Sequence, residues 1–166
     1  MYFCGIKSSS MDITIGIKKA DIYEEVTKTT SYMGAKSDAD GAYDKVRTVD
    51  GDGDMLDRFW DEACSALTAV MKEFVTAISK QVSAANDGLN YTLTLPANWD
   101  GIVDDGKSEE LTNDSSSYLV NYIVGKWLQF IQREEAEKYL TEASGLLLVI
   151  NKAIYRRKRP VRTTPV

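Results

Sequence analysis

Apolar and polar residues alternate where the patterned part of the chain begins, with Ile13, Ile15 and Ile17 set against Thr14, Gly16 and Lys18. A period of two turns one face of an extended segment to a core and the other to water, so "MDITIGIKK" predicts a short strand. The spacing then lengthens. Ile22, Tyr23, Val26 and Met33 recur near a period of 3.6, Glu24 and Lys28 stand one turn apart, and Gly34 can terminate, which predicts a helix over about 20–33. Residues 35–54 are rich in aspartate and glycine and read as a long loop, with Tyr43 and Val46 as its anchors. The strongest periodicity follows. Leu56, Trp60, Ala63, Leu67, Val70, Phe74, Ile78 and Val82 fall three or four apart and predict one helix from Met55 to about Ala85, with Asp52 or Asp54 as its cap. "NDG" at 86–88 stops that helix, and "YTLTLP" alternates again as a second strand, a partner for the first. Residues 98–117 are polar, with Trp99, Ile102 and Leu111 as their large apolar groups, and "TNDSSS" offers caps for a helical pattern running from Tyr118 to Ile154. The polar stretch "QREE" at 132–135 predicts a break or kink in it, because a single helix of that length is too long for a compact domain.

These elements predict a mainly α protein: a small bundle of about four helices with a short strand pair or hairpin and long polar loops. The domain reading is a flexible leader at 1–10, one helical domain at 11–157 with long loops at 35–54 and 96–114, and an extended arm at 158–166. A chain of 166 residues is enough for one domain with a real core. No apolar run approaches 18 residues, so no membrane-spanning helix is expected.

Charge changes the picture more than composition does. From Lys152 onward there are six basic residues and no acidic one, whereas residues 1–151 hold 14 basic against 25 acidic, a net −11 body carrying a +6 tail. Solubility alone needs no such separation, so the tail is expected to have a partner. Cations near a helix C-terminus complement its dipole, which accounts for Lys152 to Arg157 but not for Arg159 and Arg162, at and beyond Pro160. Phosphates or an acidic protein surface are the two remaining targets.

Candidate chemistry is sparse. With no histidine in the chain, Ser-His-Asp and Cys-His nucleophiles and histidine zinc sites are excluded. "DGDGD" at 50–54 begins like a calcium loop, but Met55 stands where the sharp turn needs glycine and Asp61 where a bidentate glutamate belongs. Cys4 and Cys64 form no CxxC pair, which excludes a disulfide framework and fits a reducing compartment. No catalytic, cofactor-binding or metal-binding residue is assigned, and the chain reads as a non-enzymatic binding or assembly protein. Tyr43, Trp99 and Tyr118, at element ends or in loops, are the candidate interface aromatics.

The late helix "YLVNYIVGKWLQF", then "REEAEKYLTEASGLLLVI", then "AIYRRKRPVR" resembles, in order and pattern, the head-tail connector (adaptor) proteins of tailed bacteriophages and prophages. The segments "ITIGIKKADIYEEVTKTT" and "DGDMLDRFWDEACSALTAVMKEFV" look like phage structural proteins of Bacteroidales type. The likeness spans most of residues 11–162. It implies a homo-oligomeric ring of about a dozen copies beneath the portal protein, located at the head-tail junction of the virion and assembled in the host bacterial cytoplasm. Tail or neck proteins would bind its other face, and DNA would pass nearby without specific binding. Arg156, Arg157, Lys158, Arg159 and Arg162 would be the docking residues, and no cofactor is implied. The alternatives are another neck or tail component, such as a tail-completion or terminator protein, and a bacterial helical nucleic-acid-binding module.

Overall fold

The computed structural model describes residues 10–36, 41–81, 87–99 and 106–158. The expected leader (save Ser10) and the arm residues Arg159 and Arg162 lie outside them, as does the middle of the second polar loop.

Strand β1 (Met11–Lys18) runs directly into helix α1 (Lys19–Lys36). A short helix α2 (Ala42–Val46) and a 3-10 turn (Asp50–Asp52) lead to α3 (Gly53–Met71). Strands β2 (Val75–Gln81) and β3 (Gly88–Leu95) follow, then α4 (Lys107–Leu128) and α5 (Arg133–Tyr155). Among the described residues the architecture is mainly α, five helices with one small antiparallel sheet of order β1-β3-β2.

The alternating pattern sets the sheet. Ile13 sits opposite Leu93, Ile15 opposite Tyr91, and Ile17 opposite Leu89, all six buried on one face. Cross-strand apolar pairs of this kind fix register, because a slip of one residue would turn every one of them to water. Tyr91 carries a hydroxyl into this core and satisfies it on α3, within 2.8 Å of the Thr68 hydroxyl. Burial pushes that phenol up to about 12.

α4 is the central helix, touching α1, α3, α5 and β1. Its approach to α5 depends on Gly125, where a Cβ would stand 2.7 Å from the Leu140 Cγ and 3.2 Å from the Leu140 backbone nitrogen. The chain reverses between them in four residues, 129–132, at the polar stretch where a break was expected.

Three expectations need correction. The predicted helix from Met55 ends at Met71, residues 75–81 of its expected span form β2, and 82–85 lie outside the described residues. Phe74, Ile78 and Val82 are spaced by four, a distance that satisfies a period of two as well as one of 3.6, and the β-branched Val75 and Thr76 tip the balance toward pairing with β3. α4 begins at Lys107, inside the loop expected over 96–114. Gly106, at φ 70°, supplies the left-handed step that turns the chain into it, and Glu109 and Glu110 sit in the first turn where the dipole favours carboxylates. The described part of the Asp-rich segment from Gly41 onward holds α2 and the 3-10 turn in place of an open loop. Val46 is buried, the Trp127 indole N–H donates to its carbonyl at 2.7 Å, and the Thr48 N–H donates to the buried Thr30 hydroxyl at 3.2 Å.

Candidate functional site at the cationic end

α5 ends at Tyr155, and the backbone turns extended at Arg156 (φ −66°, ψ 134°). The chain does not leave the surface at once. Arg157 forms an isolated antiparallel bridge with Trp99, and the Lys158 N–H donates to the Asn98 carbonyl at 2.8 Å. Trp99 closes a turn of its own by donating its backbone N–H to the Pro96 carbonyl at 2.8 Å. Its indole, only 3% exposed, donates to the Ala153 carbonyl at 2.9 Å. A tryptophan suits this place because it combines a large apolar body with a donor at the rim, and the last turn of a helix leaves carbonyls without intrahelical partners. The root of the tail is therefore clamped to residues 96–99.

The five docking candidates separate. Arg157 turns inward: its Nη1 donates to the Ile154 carbonyl at 3.0 Å and to the Arg156 carbonyl at 3.1 Å. Its guanidinium also lies 5.4 Å from the centre of the Phe74 ring, which stands edge-on to Tyr155. This cation satisfies helix-end carbonyls with its Nη1 and covers an aromatic face, so it is partly engaged within its own chain. Arg156 and Lys158 are exposed. Arg159 and Arg162 cannot be placed, being outside the described residues.

Two further cations join Arg156. Lys152, one turn earlier on α5, and Lys107, at the start of α4, line with it a cavity of about 240 Å³. Trp99, Leu111, Val149 and Ala153 give this cavity apolar walls, and Glu110 and Asp114 add carboxylates on the α4 side. Burial, and then the neighbouring Glu110, push the Asp114 carboxyl above its ordinary value. A concave apolar surface edged by Lys and Arg is chemically suited to a segment that brings an apolar side chain together with a carboxylate. Sequence reasoning missed Lys107, although Glu109, Glu110 and the preceding Gly106 were signals of a helix start there.

The interface aromatics divide as well. Tyr118 is 2% exposed and Trp99 3%, so both are core residues of this chain, which corrects the expectation that they lie on a surface. Tyr118 looked terminal because α4 was expected to begin near it, whereas it lies about three turns inside. Tyr43 is exposed, with the Arg47 guanidinium 5.2 Å from its ring centre.

The Asp-rich turn closes on itself. Asp52 accepts the Val49 N–H at 2.8 Å and makes no side-chain bond to the first turn of α3, contrary to its expected capping role. Among the described residues no group of three or more His, Cys, Asp or Glu side chains is placed to hold a metal ion, and no helix there is long and apolar enough to cross a membrane. No family model matches this chain, and no curated protein and no solved structure matches it either.

Proposed function

We propose that the chain is a non-enzymatic structural protein of a tailed-phage virion, a head-tail connector or adaptor that docks on an acidic portal surface through its cationic end. The observation that carries this reading is the separation of charge: a body of net −11 ends in a stretch of net +6. The root of that stretch is fixed to Trp99 and Asn98 while Arg156 and Lys158 face outward. Opposite charges on two facing surfaces speed encounter and set register. In a ring of about a dozen copies, the acidic bodies would surround a passage along which DNA slides without adhering, and the opposite face would receive tail or neck proteins.

The test uses the portal protein of the same virion as bait. A chain cut after Lys158 and carrying Arg156→Glu and Lys158→Glu should lose portal capture while keeping its circular dichroism spectrum, since both substituted side chains are exposed. Undiminished capture overturns the docking claim. So does binding to duplex DNA in place of the portal, recognised by log K falling by about 0.9 per phosphate contacted as log salt rises.

A further inference from the structure

α5 has a face that no described part of the chain covers. Ala136, Ala143, Ile150 and Ile154 are its buried positions. On the opposite side Thr141, Gly145, Leu148 and Lys152 follow at spacings of four, three and four, and all are exposed. That is the spacing of a seam on which a second helix can lie. Leu148 is 62% exposed and Val149 49%. Beside them Gly145 leaves a notch, with nothing within 4 Å of where its Cβ would stand.

Charge runs along the same helix. Residues 133–142 hold four carboxylates (Glu134, Glu135, Glu137, Glu142) against two cations (Arg133, Lys138), and Lys138 is engaged by Glu135 at 2.6 Å. The rest of α5, residues 143–155, holds one cation, Lys152, and no carboxylate, and Arg156, Arg157 and Lys158 follow directly beyond its end. A parallel second helix would set like charge on like. An antiparallel one sets the acidic half of each copy on the basic half of the other, with the Leu148 side chains meeting the two glycine notches.

We propose that two copies of the free chain pair antiparallel through α5, about a two-fold axis between Gly145 and Leu148, which brings each Lys152 level with Glu142 of the other copy. The arrangement is isologous, each surface meeting itself, so it closes at two copies. At 1.5 Å per residue the 23 residues of α5 span about 35 Å, and one helix pair buries less than the ~1,600 Å² of a standard interface. The dimer is therefore a concentration-dependent equilibrium.

Sedimentation of the full chain over a concentration series tests it. The mass should rise from 18.5 kDa toward twice that value, and Leu148→Asp, at a position exposed enough to spare the fold, should weaken association at least tenfold. Lys152→Glu and Glu142→Lys should each weaken it alone, and mixing those two variants should restore it, because the mixed pair regains opposite charges at both contacts. A chain that stays monomeric at every concentration, an assembly of any size unmoved by Leu148→Asp, or variants that fail to recover on mixing would each overturn the proposal. Leu148 and Glu142 lie outside both the cavity and the cationic stretch, so Leu148→Asp and Glu142→Lys should leave portal capture unchanged while weakening self-pairing.

Discussion

Trp99 and Trp127 donate their indole N–H groups to backbone carbonyls near opposite ends of α4, one to Ala153 and the other to Val46. About 30 Å of helix separates the two places. Each tryptophan holds a segment that could otherwise lift away: residues 96–99 with the root of the tail at one end, α2 and its flanks at the other. What surrounds them differs. Around Trp99 the exposed groups include three cations, Lys152, Arg156 and Lys158, beside Glu110 and Val149. Beyond Trp127 the exposed groups include large apolar ones: Phe130, 72% exposed, stacks on Phe59 beside Ile131, and Met55 stands one turn before Phe59 on α3. The same anchor thus serves an end with long-range electrostatic reach and an end that acts only on contact.

Replacing each anchor should sharpen the contrast. Trp99→Ala is expected to have the largest effect, about 3–5 kcal/mol of stability, because it empties a fully enclosed site in addition to freeing the Ala153 carbonyl. Thermal unfolding measures it, and a loss below about 1 kcal/mol would show that the tail root does not depend on the clamp. Trp127→Ala should cost less, about 1–3 kcal/mol, since the ring is half-buried and the main loss is a partner for the Val46 carbonyl. Hydrogen exchange should then quicken in residues 42–48 while the sheet stays protected. Uniform quickening across the sheet would mean that the two ends are not independent. Phe130→Ser should change stability by no more than about 0.5 kcal/mol, as expected of a ring that mostly faces solvent. A larger loss would make the stack on Phe59 part of the core.

Much of this was legible in the chain. The alternation of Ile13, Ile15 and Ile17 and of Tyr91, Leu93 and Leu95 gave both strands and their pairing, since a half-buried strand has no other way to be written. β2 was hidden because Phe74, Ile78 and Val82, in and beside it, are four apart, a spacing consistent with either period. The first three turns of α4 were hidden because Ser115 occupies a buried position where an apolar residue would have revealed the pattern. Its hydroxyl donates to the Leu111 carbonyl at 2.7 Å, so the helix itself satisfies the polar group. At the candidate site the cations could be counted from the sequence. The clamp could not, because the pairing of Asn98 with Lys158 joins segments 60 residues apart and no local pattern records it.

The antiparallel ladder between Met11 and Leu95 carries a consequence for synthesis. The first strand of this sheet has the last as its mate, Met11 pairing with Leu95 84 residues later. At ~5–20 residues per second, the row of Ile13, Ile15 and Ile17 waits roughly 4–17 s for that mate, whereas α4 and α5, joined by four residues, can meet as soon as both have emerged. During that interval the nascent chain shows a β-branched edge to its neighbours on the same message, and rapid translation through residues 19–95 would be the simplest protection against strand pairing between chains.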